Sequence, residues 1–167
     1  VLHGGYGKRN LGDDAILHVL LAQLQAAIPE ARIVVLCHGP ERVQQAHGIL
    51  AYHFTAPQAL RAICQADLYV IGGGGIINRI NTYSGLQRWR WLDPKGKFLF
   101  LAAGLAKWCG AKVLFHGIGA TSVPDPVVGR LAHWAIGRAD GVTVRDLASR
   151  QVLRGLGLCR EIAVHPD

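Results

Sequence analysis

The chain has 167 residues, of which 50% are hydrophobic and 17% are charged, so it holds enough apolar side chains for one domain with a buried core. These proportions exclude a disordered tail, a coiled coil and a miniature scaffold. A formal net charge of +7 would attract an anionic substrate, nucleic acid or anionic lipid. The basic residues form no run of four or more and only 7% of residues are aromatic, so we expect no nucleic-acid partner.

The missing methionine, the cysteines and the apolar stretches indicate the kind of protein involved. Because the sequence contains no Met, we expect one domain of a longer protein. The four cysteines lie far apart and form no C-x-x-C pair, which predicts buried thiols rather than a zinc site or a disulfide framework. The longest apolar stretch, residues 98–106, is too short for a transmembrane segment. With no signal peptide, we expect a cytoplasmic protein, and a peripheral position at the inner membrane face stays open.

Short β-branched runs alternate with helical patterns along the chain, which is typical of a parallel sheet covered by helices. Strands are predicted at residues 1–3, 32–37, 50–53, 67–71, 112–116, 142–144 and 162–164. Helices are predicted at residues 13–28, 57–65, 98–109, 127–138 and 146–156. The predicted fold class is α/β, a doubly wound Rossmann-like parallel sheet. Residues 76–97 do not fit the alternation, and a polar, arginine-rich loop of this length favours a functional role over an irregular cover for a sheet edge.

The first candidate site is the glycine-rich turn between the first strand and the first helix. Gly7, Asn10 and Gly12 lie here, where glycines let a ligand approach the backbone and the helix N-terminus offers N–H groups. The motif lacks the third glycine of a dinucleotide site and the Ser or Thr of a P-loop. Asp13 and Asp14 could accept hydrogen bonds from sugar hydroxyls or take a hydroxyl proton. The alternative interpretation is that Asn10 caps the helix and that the two aspartates interact favourably with the positive end of the helix dipole.

Glycines also follow two later strands. Residues 72–75 are four consecutive glycines, of which Gly73 and Gly74 could form an anion nest or let a substrate lie against the backbone. The alternative is a flexible turn from strand to loop. Gly117 and Gly119 follow the next predicted strand in the same way. Ligands of open parallel sheets bind beyond the carboxyl ends of the strands, so these glycines are candidate binding residues.

Arg145 and Asp146 lie at the end of a further strand. Arg145 could hold a carboxylate or a phosphate through two parallel hydrogen bonds, and Asp146 begins the next helix. The alternative for Arg145 is a salt bridge to Asp146 or to a neighbouring helix. His116 also ends a strand, but a single histidine in this position is more typical of a structural group than of a catalyst.

In this order and spacing, the segments resemble the polysaccharide pyruvyl transferase family. The matching segments are residues 7–17 (GKRNLGDDAIL), 66–77 (ADLYVIGGGGII), 115–119 (FHGIG) and 138–150 (RADGVTVRDLASR). The tail at residues 164–167 is similar to the segment where the family crosses between domains. The sequence departs from the family pattern at His116 and His165, so we do not expect these two residues to share its catalytic roles.

The resemblance implies that residues 1–167 are the N-terminal Rossmann-like domain of a two-domain, glycosyltransferase B-like enzyme whose C-terminal domain lies outside this chain. Such enzymes transfer a pyruvyl group from phosphoenolpyruvate to two hydroxyls of a sugar and form ketals in exopolysaccharides and other cell-surface or cell-wall polysaccharides. The implied partners are phosphoenolpyruvate as co-substrate and a glycan or lipid-linked saccharide as acceptor, with no separate cofactor or metal. We expect the domain alone to be inactive.

The resemblance also implies roles for particular residues. We expect Asp13 and Asp14 to orient or deprotonate the acceptor hydroxyls and Arg145 to hold the donor anion, which makes these three the catalytic residues. The substrate-binding residues are expected to be Gly7, Asn10, Gly12, Gly73, Gly74, Gly117, Gly119 and Asp146.

Two other functions remain open at this point. One is a sugar-nucleotide-dependent glycosyltransferase of similar architecture, and the other is a non-catalytic Rossmann-like binding module. Release of phosphate from phosphoenolpyruvate, or of a nucleoside diphosphate from a sugar donor, separates the two enzymes. Calorimetry with glycans, phosphoenolpyruvate and nucleotides would reveal a binding module.

Overall fold

A computed structural model describes residues 1–77, 94–122 and 126–165 of the chain. Its strands are β1 (Leu2–His3), β2 (Val34–Cys37), β3 (Leu50–His53), β4 (Leu68–Gly72), β5 (Gly75–Ile77), β6 (Lys112–Ala120), β7 (Gly141–Val144) and β8 (Ala163–Val164). Its helices are α1 (Leu11–Ala27), α2 (Pro40–His47), α3 (Pro57–Cys64), α4 (Pro94–Trp108), α5 (Pro126–Arg138) and α6 (Leu147–Gly155).

The strands form a parallel sheet in the order β3-β2-β1-β4-β6-β7-β8, and β5 pairs with the end of β6. The chain leaves β1 toward β2 and β3, and then returns to place β4 on the other side of β1. In register, Leu2 of β1 therefore pairs with Val35 on one side and with Val70 on the other. Ligands of open α/β sheets bind beyond the carboxyl ends of the strands at such a reversal of strand order.

Helices cover both faces of the sheet, which confirms the predicted doubly wound fold. Leu17 of α1 and Val43 of α2 belong to one buried cluster. Ile63 of α3 and Leu153 of α6 belong to a second cluster, together with Phe115 of β6. Each fully buried leucine contributes about 2 kcal/mol to folding through removal of apolar surface from water. Two separate cores thus pack the helices against the sheet and fix where the carboxyl ends of the strands lie.

Helix α2 was not predicted, and the structure shows why. Val43 is its only buried residue, so the helix has no apolar stripe of helical period. Its boundaries are instead set by backbone chemistry. Pro40 lies in the first turn, where its missing N–H costs nothing, and Gly48 ends the helix in the left-handed conformation with φ of 64°.

The four-glycine segment is a kink between two strands rather than the beginning of a loop. Gly73 and Gly74 have φ of 54° and 77°, and the chain then continues as β5 alongside β6. Strand β6 itself runs four residues beyond its predicted end, to Ala120, with a register shift in its pairing to β7. The expected loop at 76–97 is therefore wrong at both ends, because Ile76 and Ile77 belong to β5 and α4 begins at Pro94. The remainder of that loop, residues 78–93, lies outside the described residues.

Two further expectations concern the cysteines and the membrane. Only Cys37 is buried; Cys64, Cys109 and Cys159 are exposed, so the expectation of buried thiols is wrong for three of the four. Each of these three lies at or beyond a helix end, where the chain turns at the surface. Within the described part of the chain, no helix has the length and apolar character needed to cross a bilayer.

Candidate active site

Asp13 lies at the reversal of strand order, between the loop that follows β1 and the kink that follows β4. Its Oδ2 atom faces Gly5, where an added Cβ would lie 3.2 Å away. Its Oδ1 atom faces Gly74, where an added Cβ would lie only 2.6 Å away. Both glycines therefore make room for this carboxylate, and no larger residue fits at Gly74 without displacing it.

Partial burial raises the pKa of Asp13, because a carboxylate removed from water is less well solvated. A hydrogen bond from Asn10 Nδ2 to Asp13 Oδ2, 2.8 Å long, and the charge of Lys8 act in the opposite direction. Asn10 also accepts a hydrogen bond from the Gly12 N–H and so caps α1, as the alternative for this residue predicted. Asn10 thus caps the N-terminus of α1 through its amide oxygen and positions the Asp13 carboxylate through its amide nitrogen.

The remaining predicted residues of this loop are engaged within the protein. Asp14 accepts a hydrogen bond from the Gly7 N–H at 3.1 Å, so its carboxylate closes the loop back on the helix. Gly7 has φ of 77° and packs directly against the backbone of Gly39, two residues after the end of β2. The Gly12 N–H donates to Asn10 Oδ1, which caps α1. Of the two aspartates, Asp13 is therefore the one placed at the strand ends.

Gly73 serves the packing of α1, because a Cβ at this position would overlap the side chain of Ile16. Its N–H donates to the His116 carbonyl at 3.0 Å and is not available to an anion. The buried Tyr6 hydroxyl donates to the Gly72 carbonyl at 2.9 Å and ties the β1 loop to the kink. These contacts hold the two glycine segments at a fixed separation.

Arg145 lies on the same edge of the sheet, two strands further along. Gly119 donates its N–H to the Gly74 carbonyl at 2.9 Å. A Cβ added at Gly119 would lie 2.8 Å from both Cζ and Nε of Arg145, so the guanidinium covers this glycine. Asp13, Gly74, Gly119 and Arg145 therefore form a continuous row along the carboxyl ends of the strands, which we call the edge row.

Asp146 uses both carboxylate oxygens inside the protein. Oδ1 accepts from the Ser149 N–H at 2.6 Å and caps α6, and Oδ2 accepts from Arg145 Nε at 3.2 Å. These bonds, led by the one from Ser149, hold the pKa of Asp146 below its usual value. The salt bridge predicted as the alternative for Arg145 is thus present. Among the described residues, Arg145 shows no bond from its two terminal nitrogens, so the guanidinium keeps donors for a ligand.

Comparison with protein-family models gives one match that covers most of this chain. The family described as polysaccharide pyruvyl transferase matches residues 10–167, which include the whole edge row. The chain belongs to the polysaccharide pyruvyl transferase family. Neither the curated proteins nor the solved structures give a significant match.

Membership assigns the coarse activity, transfer of a pyruvyl group to a polysaccharide. Within the described residues, no three His, Cys, Asp or Glu side chains gather in an arrangement that could hold a metal ion. The polar groups of the edge row are one carboxylate, one guanidinium and the backbone between them.

A cavity of about 340 Å³ lies beside the edge row, between α1 and the carboxyl end of β6. Gly73, His116, Gly117 and His165 line its sheet side. Gly117 has φ of 59° and donates its N–H to the Thr143 hydroxyl at 2.8 Å, so it turns the strand rather than offering a free donor. We expected neither histidine to share the family's catalytic roles, and the fold brings both into one cavity.

Sequence reasoning also missed a group of rings at the carboxyl ends of β1, β2 and β3. His38 packs edge-on against Phe54 with ring centroids 4.7 Å apart, and His53 stacks on the same ring at 4.4 Å. His3 is buried beneath them and shares a hydrogen bond with the Tyr69 hydroxyl. Strand pairing brings these residues together, because His3 ends β1, His38 follows β2, and the neighbours His53 and Phe54 lie at the end of β3.

Proposed function

We propose that the donor is phosphoenolpyruvate and that the acceptor is a pair of hydroxyls on one sugar of a polysaccharide or its lipid-linked precursor. The edge row supports this proposal, because a carboxylate with raised pKa and a guanidinium lie on either side of two glycines at the strand ends. Ketal formation needs a base for the hydroxyls and a cation for a donor that carries a carboxylate and a phosphate.

Asp13 is the proposed base. A partly buried carboxylate is a better proton acceptor than an ordinary one, and its pKa lies nearer to the working pH. Neither Gly5 nor Gly74 has a side chain to cover it. Asp13 is only partly buried, so a sugar hydroxyl can reach its carboxylate from the solvent side.

Arg145 is the proposed donor-binding residue. Its planar guanidinium can donate two parallel hydrogen bonds to a carboxylate or a phosphate. Asp146 fixes the orientation of the guanidinium by accepting a hydrogen bond from Nε. In the reaction, the first hydroxyl oxygen bonds to the central carbon of the donor while the methylene carbon gains a proton. The second hydroxyl then displaces phosphate at the same carbon, and its proton leaves with the phosphate. The guanidinium would stabilise the departing charge.

The glycosyltransferase B-like arrangement is part of this proposal. In it, a second Rossmann-like domain faces the edge row and closes the cleft over donor and acceptor. A cytoplasmic location, with access to a lipid-linked acceptor at the inner membrane face, fits such a reaction. The surplus of positive charge in the chain would steer the anionic donor toward the cleft.

The test uses an enzyme that contains this domain, incubated with phosphoenolpyruvate and a glycan that carries neighbouring hydroxyls. We expect release of inorganic phosphate and formation of a pyruvate ketal on the glycan. Asp13→Asn should lower kcat about 10²- to 10⁴-fold, because the base is lost while the side-chain shape is kept. Asp67→Asn is the matched control, since Asp67 is exposed at the opposite edge of the sheet, and its kcat should change less than twofold.

Two outcomes would contradict the proposal in different ways. Release of a nucleoside diphosphate from a sugar donor, without phosphate release from phosphoenolpyruvate, would show the wrong donor class. Unchanged kcat in Asp13→Asn, with ketal still formed, would remove Asp13 from the mechanism and leave the donor assignment standing.

A further inference from the structure

Cys64 and Cys109 lie together at the amino-terminal edge of the sheet, away from the edge row. Cys64 is the last residue of α3, and Cys109 directly follows α4. The two helices pack against each other. Both cysteines are exposed and neither is in a disulfide.

The sheet fixes this neighbourhood independently of the helices. Four residues after Cys64, Leu68 begins β4 and pairs in register with Lys112 of β6, which comes three residues after Cys109. The Lys112 N–H donates to the Asp67 carbonyl at 2.8 Å. Each cysteine therefore lies only a few residues before the beginning of one of two adjacent, hydrogen-bonded strands. The neighbouring Cys64 thiol raises the pKa of Cys109.

The other two cysteines have different surroundings. Cys37 is buried in β2, and burial raises the pKa of its thiol to about 11, which keeps it protonated and unreactive. Cys159 is exposed, with its thiol donating to the Gly157 carbonyl at 3.6 Å. Of the four cysteines, only Cys64 and Cys109 combine exposure with a neighbouring thiol.

We propose that Cys64 and Cys109 are a dithiol site that forms an intramolecular disulfide with a small-molecule disulfide as oxidant. One cysteine thiolate attacks the oxidant, forms a mixed disulfide and releases the first small thiolate. The second cysteine thiolate then attacks the sulfur of the first cysteine and releases the second small thiolate. The protein loses two electrons and two protons, and the oxidant becomes two thiols.

The bond would join the end of α3 to the end of α4 and close the loop from residue 64 to residue 109. Closing a loop of this length restricts the unfolded chain. We expect the oxidised chain to unfold at a Tm about 5–10 °C above that of the reduced chain. Since each thiol is already exposed, the oxidant can reach the pair without local unfolding.

The 167-residue chain is treated with glutathione disulfide, its remaining thiols are alkylated in denaturant, and tryptic peptides are identified by mass spectrometry. We expect peptide 62–79 linked to peptide 108–112, in a product that dithiothreitol separates. Cys64→Ser and Cys109→Ser should each lose the linked peptide and the rise in Tm. Cys159→Ser, the matched control, should keep both.

The result that overturns the proposal is also defined at the peptide level. Separate glutathione adducts on Cys64 and Cys109 in the wild-type chain would show that the two sulfurs cannot bond. A link from either cysteine to Cys159, or to a second chain on a non-reducing gel, would contradict the pairing in the same way.

Discussion

Arg145 keeps its position through contact with a residue that has no side chain. Its guanidinium lies over Gly119, and Asp146 holds it from the other side through Nε. Gly119 itself donates its N–H to the Gly74 carbonyl. These contacts fix the position of the guanidinium relative to the strand ends. Catalytic groups that are displaced by about 1 Å can lose a large part of their effect.

Replacing Gly119 by Ala should therefore impair the donor site without removing any charge. The new Cβ would lie 2.8 Å from the guanidinium carbon and force Arg145 outward. We expect the KM for phosphoenolpyruvate to rise about tenfold, a loss of about 1.4 kcal/mol in donor binding. Steady-state kinetics with phosphate release as the readout measures this change.

Gly155→Ala is the matched control for Gly119→Ala. Gly155 ends α6, and an added Cβ there meets no atom within 4 Å. We expect unchanged kinetics and a stability equal to or slightly above wild type, because Ala is the better helix former. Wild-type KM in Gly119→Ala would show that Arg145 does not contact the donor.

Arg145 itself provides a second test at the scale of a single residue. Arg145→Lys keeps the charge but loses the planar pair of donors and the bond from Nε to Asp146. We expect this variant to raise the KM for phosphoenolpyruvate by a factor of ten or more, measured in the same assay. Recovery of wild-type KM by lysine would indicate a role of charge alone.

The N-terminus of α1 links helix stability to the chemistry of the site. Asn10 caps the helix through Oδ1 and binds Asp13 through Nδ2, and this second bond lowers the pKa of Asp13 against the effect of burial. Asn10→Ala should lower the free energy of unfolding by about 1 kcal/mol. It should also raise the pKa of Asp13, so the acid limb of kcat/KM moves to higher pH.

Gly48→Ala separates loss of stability from loss of the Asn10 contact. Gly48 ends α2 with φ of 64°, where a Cβ is strained, and we expect a loss of about 1 kcal/mol there too. The acid limb of the pH profile of kcat/KM should lie at the same pH as in wild type. A shifted limb in Gly48→Ala, or an unshifted limb in Asn10→Ala, would contradict the role of Asn10.

The helices differ in how well their sequences predict them. In α1, the apolar residues Leu17, Leu20 and Leu21 recur at helical spacing and are all buried, so the pattern predicts the helix almost to its ends. In α2, one buried valine leaves no period to detect. Helix ends that depend on capping, such as those at Asn10 and Gly48, follow from local chemistry rather than from apolar patterning.

Across the whole molecule, the buried His3 makes stability depend on pH. Burial lowers the pKa of His3 to about 3, and the charge of His38 acts in the same direction. The unfolded chain binds the proton below about pH 6.5, whereas the folded chain does not until about pH 3. Stability should therefore fall as pH falls through this window, by up to about 1.4 kcal/mol per pH unit.

Urea unfolding of wild type and His3→Asn between pH 4 and 7 tests this dependence. Asparagine can keep a polar atom near the Tyr69 hydroxyl, which His3 contacts, but it does not titrate. We expect the wild-type free energy of unfolding to fall more steeply with acid than that of the variant. Parallel slopes would show that His3 is not the titrating group.

The sequence by itself determined the α/β alternation, most of the strands and the family, and it predicted Asp13, Asp14 and Arg145 as catalytic residues without distinguishing between the two aspartates. Each of these depends on residue types within a short stretch of chain: apolar period, glycine content, or a charged residue beside a strand end. Only the tertiary structure decided which of these residues meet. It placed Gly74 and Gly119 between Asp13 and Arg145, turned the four glycines into a kink between strands, and brought two thiols together at the opposite edge. The reason is that parallel strands bring residues far apart in the chain side by side, and local sequence carries no record of that pairing.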